Sequence, residues 1–154
     1  MQTKYVLIIL SIIAAGCTPV DNDDSAVGPP AESSRPDATL KNTYWKLVSI
    51  DGEPYEHNSS NREPRLQFRL DEDRLTGFTG CNDFTGAYSV DGDSNSLELV
   101  EIAVTMKACI EGMAIEQRYL QALRGVDGYR ISGDTLELRE GDTPRLGFEA
   151  VYLQ

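Results

Sequence analysis

From Leu40 onward, apolar and polar residues alternate with a period of two, and turn residues interrupt the alternation every few positions. This pattern suits strands with one buried face and excludes a helical bundle, whose apolar residues would recur three and four apart. Tyr44–Ile50 reads as a first strand with Trp45, Leu47 and Ser49 on one face, followed by an Asp51-Gly52 turn and a polar loop over Glu53–Pro64. Arg65–Leu70 places Leu66, Phe68 and Leu70 together, and the charged turn Asp71–Asp73 leads into Arg74–Thr79. Thr85–Val90 and Leu97–Ile102 flank the polar hairpin loop Asp91–Ser96. Tyr129–Ser132, Thr135–Arg139 and Arg145–Leu153 complete the set, with Gly133-Asp134 turning the first of these into the second.

One segment breaks the alternation. Gly112–Arg124 carries Met113, Glu116, Tyr119, Leu120 and Leu123 at helical spacing, and Gly125 follows as a stop signal. Its apolar stripe is expected to pack on the sheet. Glu116, on that helix, would cap it or pair with an arginine or lysine. The fold class is therefore α+β: an antiparallel, strongly curved sheet or partly open barrel of about eight short strands with one helix packed against it.

The N-terminus reads as an address. Lys4, the apolar run Tyr5–Ile13 and the small residues Ala14-Ala15-Gly16 form a secretory leader too short to span a bilayer. Ile13-Ala14-Ala15-Gly16-Cys17 resembles a bacterial lipobox, so cleavage falls between Gly16 and Cys17, and Cys17 becomes the acylated N-terminus. Similarity to sorted lipoproteins points to the outer membrane, because Thr18 stands where an inner-membrane protein carries Asp. Residues 17–39, rich in Asp, Ser and Pro, form a tether that cannot bury enough surface to order itself. Its flexible reach is on the order of 25 Å. The organisation is thus a leader over 1–16, an acylated tether over 17–39 and a folded domain over 40–154.

Charge limits the partners. The chain carries 14 basic and 25 acidic side chains, a balance of −11, and loss of Lys4 with the leader takes it to −12. Nucleic acid is excluded as a partner, because phosphate binding needs clustered Lys and Arg.

Candidate sites are few. With Cys17 assigned to lipid, Cys81 and Cys109 are either a structural disulfide in an oxidising compartment or two buried thiols. A metal centre is not expected: the sequence has no C-x-x-C and one histidine, His57. Asp91-Gly92-Asp93-Ser94-Asn95 starts like a calcium loop but has Ser96 and Ile102 where glycine and a bidentate glutamate belong, so a solvated turn is expected. The acidic turn Asp71-Glu72-Asp73 reads the same way. No nucleophile motif surrounds His57, and no cofactor or catalytic activity is expected. The densest unusual stretch is Gly77–Tyr88, whose glycines demand tight bends able to bring Phe78, Phe84 and Tyr88 together. Such a corner is either required by the fold or faces a ligand.

Gly80-Cys81-Asn82, Phe84, Gly86 and Tyr88, then Thr105 and Ala108-Cys109, then Glu116 with Leu120 and Leu123, then Leu136 and Leu138, resemble the META/HslJ domain family in this order across Leu40–Tyr152. The resemblance implies a compact β-rich domain with one helix, often on secreted or lipid-anchored bacterial proteins, in which Cys81 and Cys109 approach each other. It also implies an association with heat shock and no established enzymatic activity. The expected function is that of a non-catalytic, membrane-anchored, monomeric envelope lipoprotein acting in stress tolerance or maintenance. Two alternatives are a module holding an apolar ligand such as a lipid tail, and an acidic domain that docks or inhibits a basic protein.

Overall fold

The computed structural model describes residues 37–57, 62–110 and 112–152. The leader, the cleavage point at Gly16 and Cys17, and the tether up to residue 36 lie outside the described residues.

Among the described residues, nine strands and one helix follow in the order β1 (Tyr44–Ile50), β2 (Glu53–Pro54), β3 (Arg65–Phe68), β4 (Arg74–Phe78), β5 (Asp83–Asp91), β6 (Ser96–Val104), α1 (Met113–Arg124), β7 (Gly128–Ser132), β8 (Thr135–Glu140) and β9 (Thr143–Val151). All the strand pairings are antiparallel, in the spatial order β2-β1-β3-β4-β5-β6-β7-β8-β9, and the sheet curls so far that β9 also pairs with β1. The chain is thus an α+β fold, a highly curved antiparallel sheet with one helix packed against it. One joint is thin. β6 and β7 pair only at Ser96 and Gly128, where Leu97 N–H donates to Asp127 O and Tyr129 N–H to Asn95 O, each at 3.0 Å. Between these two strands the chain leaves the sheet to form α1, which packs on β1 and β9.

The inward residues follow the period of two. Leu66 and Phe68 of β3, Leu75 of β4, Phe84 and Tyr88 of β5, Leu136 and Leu138 of β8, and Leu146 and Phe148 of β9 are all buried. From the helix, Tyr119, Ala122 and Leu123 close the core. Trp45 sits at the centre with no exposed surface, its indole N–H donating to Leu40 O at 3.0 Å. The interior is filled by side chains, with Trp45, Tyr119, Phe68 and Phe148 each fully buried.

Four expectations change. A bulge between Leu47 and Ser49 in the β1–β9 pairing resets the phase, so Ile50 rather than Ser49 faces inward. Gly147, opposite Ser49, is where that serine hydroxyl fits: a Cβ there would lie 2.2 Å from Ser49 Oγ. Strand β3 ends at Phe68, leaving Leu70 in the turn and exposed. The loop after Ile50 opens with the short strand β2 against the end of β1. Met113 lies on the exposed side of α1, because its turn is used to seat the corner described below. In addition, Asp37 and Ala38 rest on the body: the Asp37 carboxylate accepts Gly133 N–H at 2.9 Å, Ala38 N–H donates to Gly133 O at 2.8 Å, and Ala38 joins the core.

The two acidic turns are self-contained. Arg69, Arg74 and Lys41 pair with Asp71, Glu72 and Asp73 respectively, so the Asp71–Asp73 turn is locally balanced. Asp91 accepts the Ser94 hydroxyl at 2.8 Å and Asp93 N–H at 3.0 Å, and these bonds, the first above all, hold its carboxyl below the usual carboxylate range.

Candidate functional site

The glycine-rich stretch folds as a tight turn, Thr79–Asn82, between β4 and β5. Thr79 N–H donates to Asn82 O at 2.9 Å and closes the turn, while the Thr79 hydroxyl oxygen accepts Asn82 N–H at 3.1 Å. Gly80 makes it possible. Its φ is 108°, and a Cβ there would lie 2.5 Å from Ile115 Cγ2. Gly112, with φ of 99°, stands directly behind: its own Cβ would lie 2.6 Å from Gly80 O, so the turn and the first residues of the helix meet backbone to backbone. Gly80→Ala is expected to lower stability by about 2–3 kcal/mol. Gly133→Ala, with φ of 59° and nothing within 4 Å of the new Cβ, should cost only the ~1 kcal/mol of the left-handed conformation. Thermal midpoints of the two variants provide the check.

Glu116, in the first turn of α1, reaches back into this corner. Its Oε2 accepts the Thr79 hydroxyl at 2.6 Å and Asn82 N–H at 3.0 Å, and its Oε1 accepts Asn82 Nδ2–H at 3.1 Å. A carboxylate suits a helix N-terminus, where unpaired N–H groups give a positive potential. In place of the two expected roles, capping the helix or pairing with an arginine or lysine, Glu116 takes neutral donors from a buried turn.

Asn82 is the hub. Only 2% of it is exposed. Besides Glu116, its Nδ2 donates to Lys107 O at 3.1 Å and lies 3.4 Å from Cys81 Sγ. Its Oδ1 accepts the Thr105 hydroxyl at 2.8 Å and Lys107 N–H at 2.7 Å. The orientation of the amide is fixed, since a backbone N–H needs the oxygen and a carboxylate needs the NH₂ group. Thr105 continues the chain of bonds by accepting Asp83 N–H at 3.2 Å. Cys81 and Cys109 form a disulfide, closing a loop of sequence separation 28 and pinning the segment after β6 onto the corner. By loop-closure entropy this contributes roughly 3–4 kcal/mol.

Of the residues singled out from sequence, Gly80, Cys81, Asn82, Thr105 and Cys109 come together here. Phe84, Gly86 and Tyr88 run away from the corner along β5. Phe84 meets Tyr119, ring centroids 5.7 Å apart, and Tyr88 meets Phe68 at 5.0 Å while its hydroxyl donates to Arg69 O at 2.7 Å. Phe78 lies elsewhere again, under the Arg62 guanidinium at 3.9 Å, so the bends do not bring the three aromatic rings together. Gly86 serves the sheet. It sits opposite the irregularity where Glu101 takes φ of 55°, and a Cβ there would lie 2.5 Å from Ile102 and 2.9 Å from Val100 O. Thr79 escaped the sequence reading; its signal was a hydroxyl residue three before Asn82, the spacing of a side-chain-closed turn.

Beside the disulfide lies an open groove of about 580 Å³ whose wall includes both Cys81 and Cys109, together with Arg62, Phe78, Asp83 and Lys107. Arg62 pairs with Asp83, and Lys107 Nζ lies 3.9 Å from the same carboxylate.

A family model for the META domain matches residues 38–151. The chain belongs to the META domain family. The fold of this META domain is shared with an NMR structure of a protein from Burkholderia xenovorans, 26% identical, aligned over 88% of this chain and 100% of that one with a TM-score of 0.54. It is also shared with the crystal structure of a DUF4847 family protein from Bacteroides vulgatus, 16% identical, covering 75% of this chain and 96% of the other with a TM-score of 0.56. At that identity the second likeness concerns the fold. No curated protein matches the chain at a significant level. The corner formed by Thr79–Asn82 is, in this META domain, the joint between sheet, helix and the loop after β6.

Proposed function

We propose that this META-domain protein is a non-catalytic lipoprotein of the cell envelope, anchored through Cys17 in the outer membrane and acting in envelope stress tolerance or maintenance. The observation that carries the non-catalytic part is the occupancy of the corner. Thr79, Asn82, Thr105 and Glu116, which together could look like a catalytic constellation, spend their hydrogen bonds on one another and on the backbone. A general base needs a lone pair facing a substrate, and here donors of the fold take both sites of Glu116 Oε2 and one on Oε1. The anchoring part rests on Ile13–Cys17 and the polar tether. The filled interior favours this reading over one in which the sheet encloses a lipid tail. The locally balanced Asp71–Asp73 turn likewise gives no special support to an acidic docking site.

Expression in a bacterial host tests the anchoring. The wild-type chain should incorporate labelled palmitate, lose its leader and fractionate with the outer membrane. Cys17→Ser should abolish labelling and processing together. A Cys17→Ser protein still processed at the same position and still membrane-bound would defeat the proposal.

A further inference from the structure

We propose that the Cys109 sulfur is a thiol-exchange site: the point at which an external small-molecule thiolate attacks the disulfide, with Cys81 as the leaving group. The two sulfurs stand in unequal surroundings. Both reach the wall of the open groove, but Cys81 is buried, 5% exposed, whereas Cys109 is half-buried. Disulfide exchange proceeds by attack on one sulfur and departure of the other as thiolate, so access selects the first and stabilisation of charge selects the second. Access makes the choice here, since attack on Cys109 leaves Cys81 as the departing sulfur. The groove carries Lys107 and Arg62, with Asp83 as their shared counter-charge, and their positive charges favour an approaching anion. On the far side, Asn82 Nδ2–H lies 3.4 Å from Cys81 Sγ and offers the departing sulfur one weak, shared donor. Lys107 O lies 3.4 Å from the same sulfur. A disulfide sulfur has no hydrogen to offer that carbonyl, but the thiol formed after protonation does.

The step balances. An incoming RS⁻ forms an S–S bond to Cys109 Sγ, the Cys81–Cys109 bond breaks, and its electron pair leaves on Cys81, which takes a proton from water. The product holds Cys109–S–S–R and a Cys81 thiol. A second RS⁻ attacking the outer sulfur would release RSSR and the Cys109 thiolate, so two thiols are oxidised for each disulfide reduced. Conversely, Cys81 deprotonated again can attack Cys109 and expel RS⁻, which makes the modification reversible. This inference stands whether or not Cys17 is acylated.

Glutathione is the probe. The oxidised protein is exposed to it near pH 8 across a urea series, quenched with acid and mapped by peptide mass. One glutathione is expected on Cys109 with Cys81 as free thiol, at a rate independent of urea below the unfolding transition. Lys107→Glu, on an exposed side chain, should slow the adduct about threefold, with a smaller effect at high salt. Glutathione on Cys81, equal labelling of both cysteines, no adduct on the folded protein, or a rate that rises in step with the unfolded fraction would each overturn the proposal.

Discussion

Asn82→Ala is expected to cost about 3–5 kcal/mol of folding stability, measured by urea denaturation with the disulfide intact. The side chain is small, and its truncation would open little cavity. The cost arises from what stays behind: Lys107 N–H and the Thr105 hydroxyl lose their acceptor, and Glu116 Oε1 loses the donor that lets a carboxylate sit in this corner. Glu116→Ala should cost less, about 1–3 kcal/mol, because Asn82 N–H keeps the Thr79 oxygen, Asn82 Nδ2 keeps Lys107 O and the Thr79 hydroxyl keeps Asn82 O. The double variant is expected to cost clearly less than the sum, with a coupling of at least ~1 kcal/mol, since either single change already breaks the bond between Asn82 Nδ2 and Glu116 Oε1. Additive losses, or an Asn82→Ala loss below about 1 kcal/mol, would mean that the corner is held by the disulfide and backbone alone.

The second large effect concerns Tyr119. Its ring is fully buried between Phe84 at 5.7 Å and Phe148 at 6.2 Å, joining helix to both flanks of the sheet. Tyr119→Ala should cost about 3–5 kcal/mol, the range for removing an aromatic ring from a packed core. Tyr119→Phe should cost under about 1 kcal/mol, since it removes only the 3.3 Å hydrogen bond to Arg65 O. The hydroxyl has a further consequence. Burial pushes its pKa well above 10, with the nearby Arg65 charge a weaker opposing influence. Above pH 10 the unfolded chain releases this proton while the folded chain keeps it, so stability falls with rising pH, by up to about 1.4 kcal/mol per unit. Below pH 10 the contribution is fully present. In Tyr119→Phe this part of the alkaline loss disappears, which urea midpoints between pH 9 and 11 would reveal.

The strands and the helix were legible in the sequence because their periods are driven by burial. Leu66 with Phe68 and Leu136 with Leu138 needed no information beyond alternation. Ser49 and Leu70 misled for a definite reason: a bulge and a strand end each break phase, and both are set by the partner strand, which a linear pattern does not contain. The corner was half legible. Gly80, Cys81 and Asn82 marked themselves by composition and by their resemblance to a family, and Cys109 followed with them. The role of Glu116 was hidden. Its partners, Thr79 and Asn82, lie 37 and 34 residues away, and a carboxylate at helical spacing looks the same whether it meets solvent, an arginine or a buried amide.

Beyond Ser96, no strand among the described residues lies on the outer edge of β6, since β7 meets it at that residue alone. A free edge of this length would invite pairing with another copy of itself, and lateral pairing grows more dangerous where molecules crowd together. The edge carries its own deterrent. Glu98 and Glu101 are exposed on it, so two such edges would bring like charges together. Glu101 also takes φ of 55°, which breaks the run of evenly spaced amides that a zipper between chains requires. The irregularity that Gly86 accommodates from the inside therefore acts on the outside as protection against amyloid-like stacking.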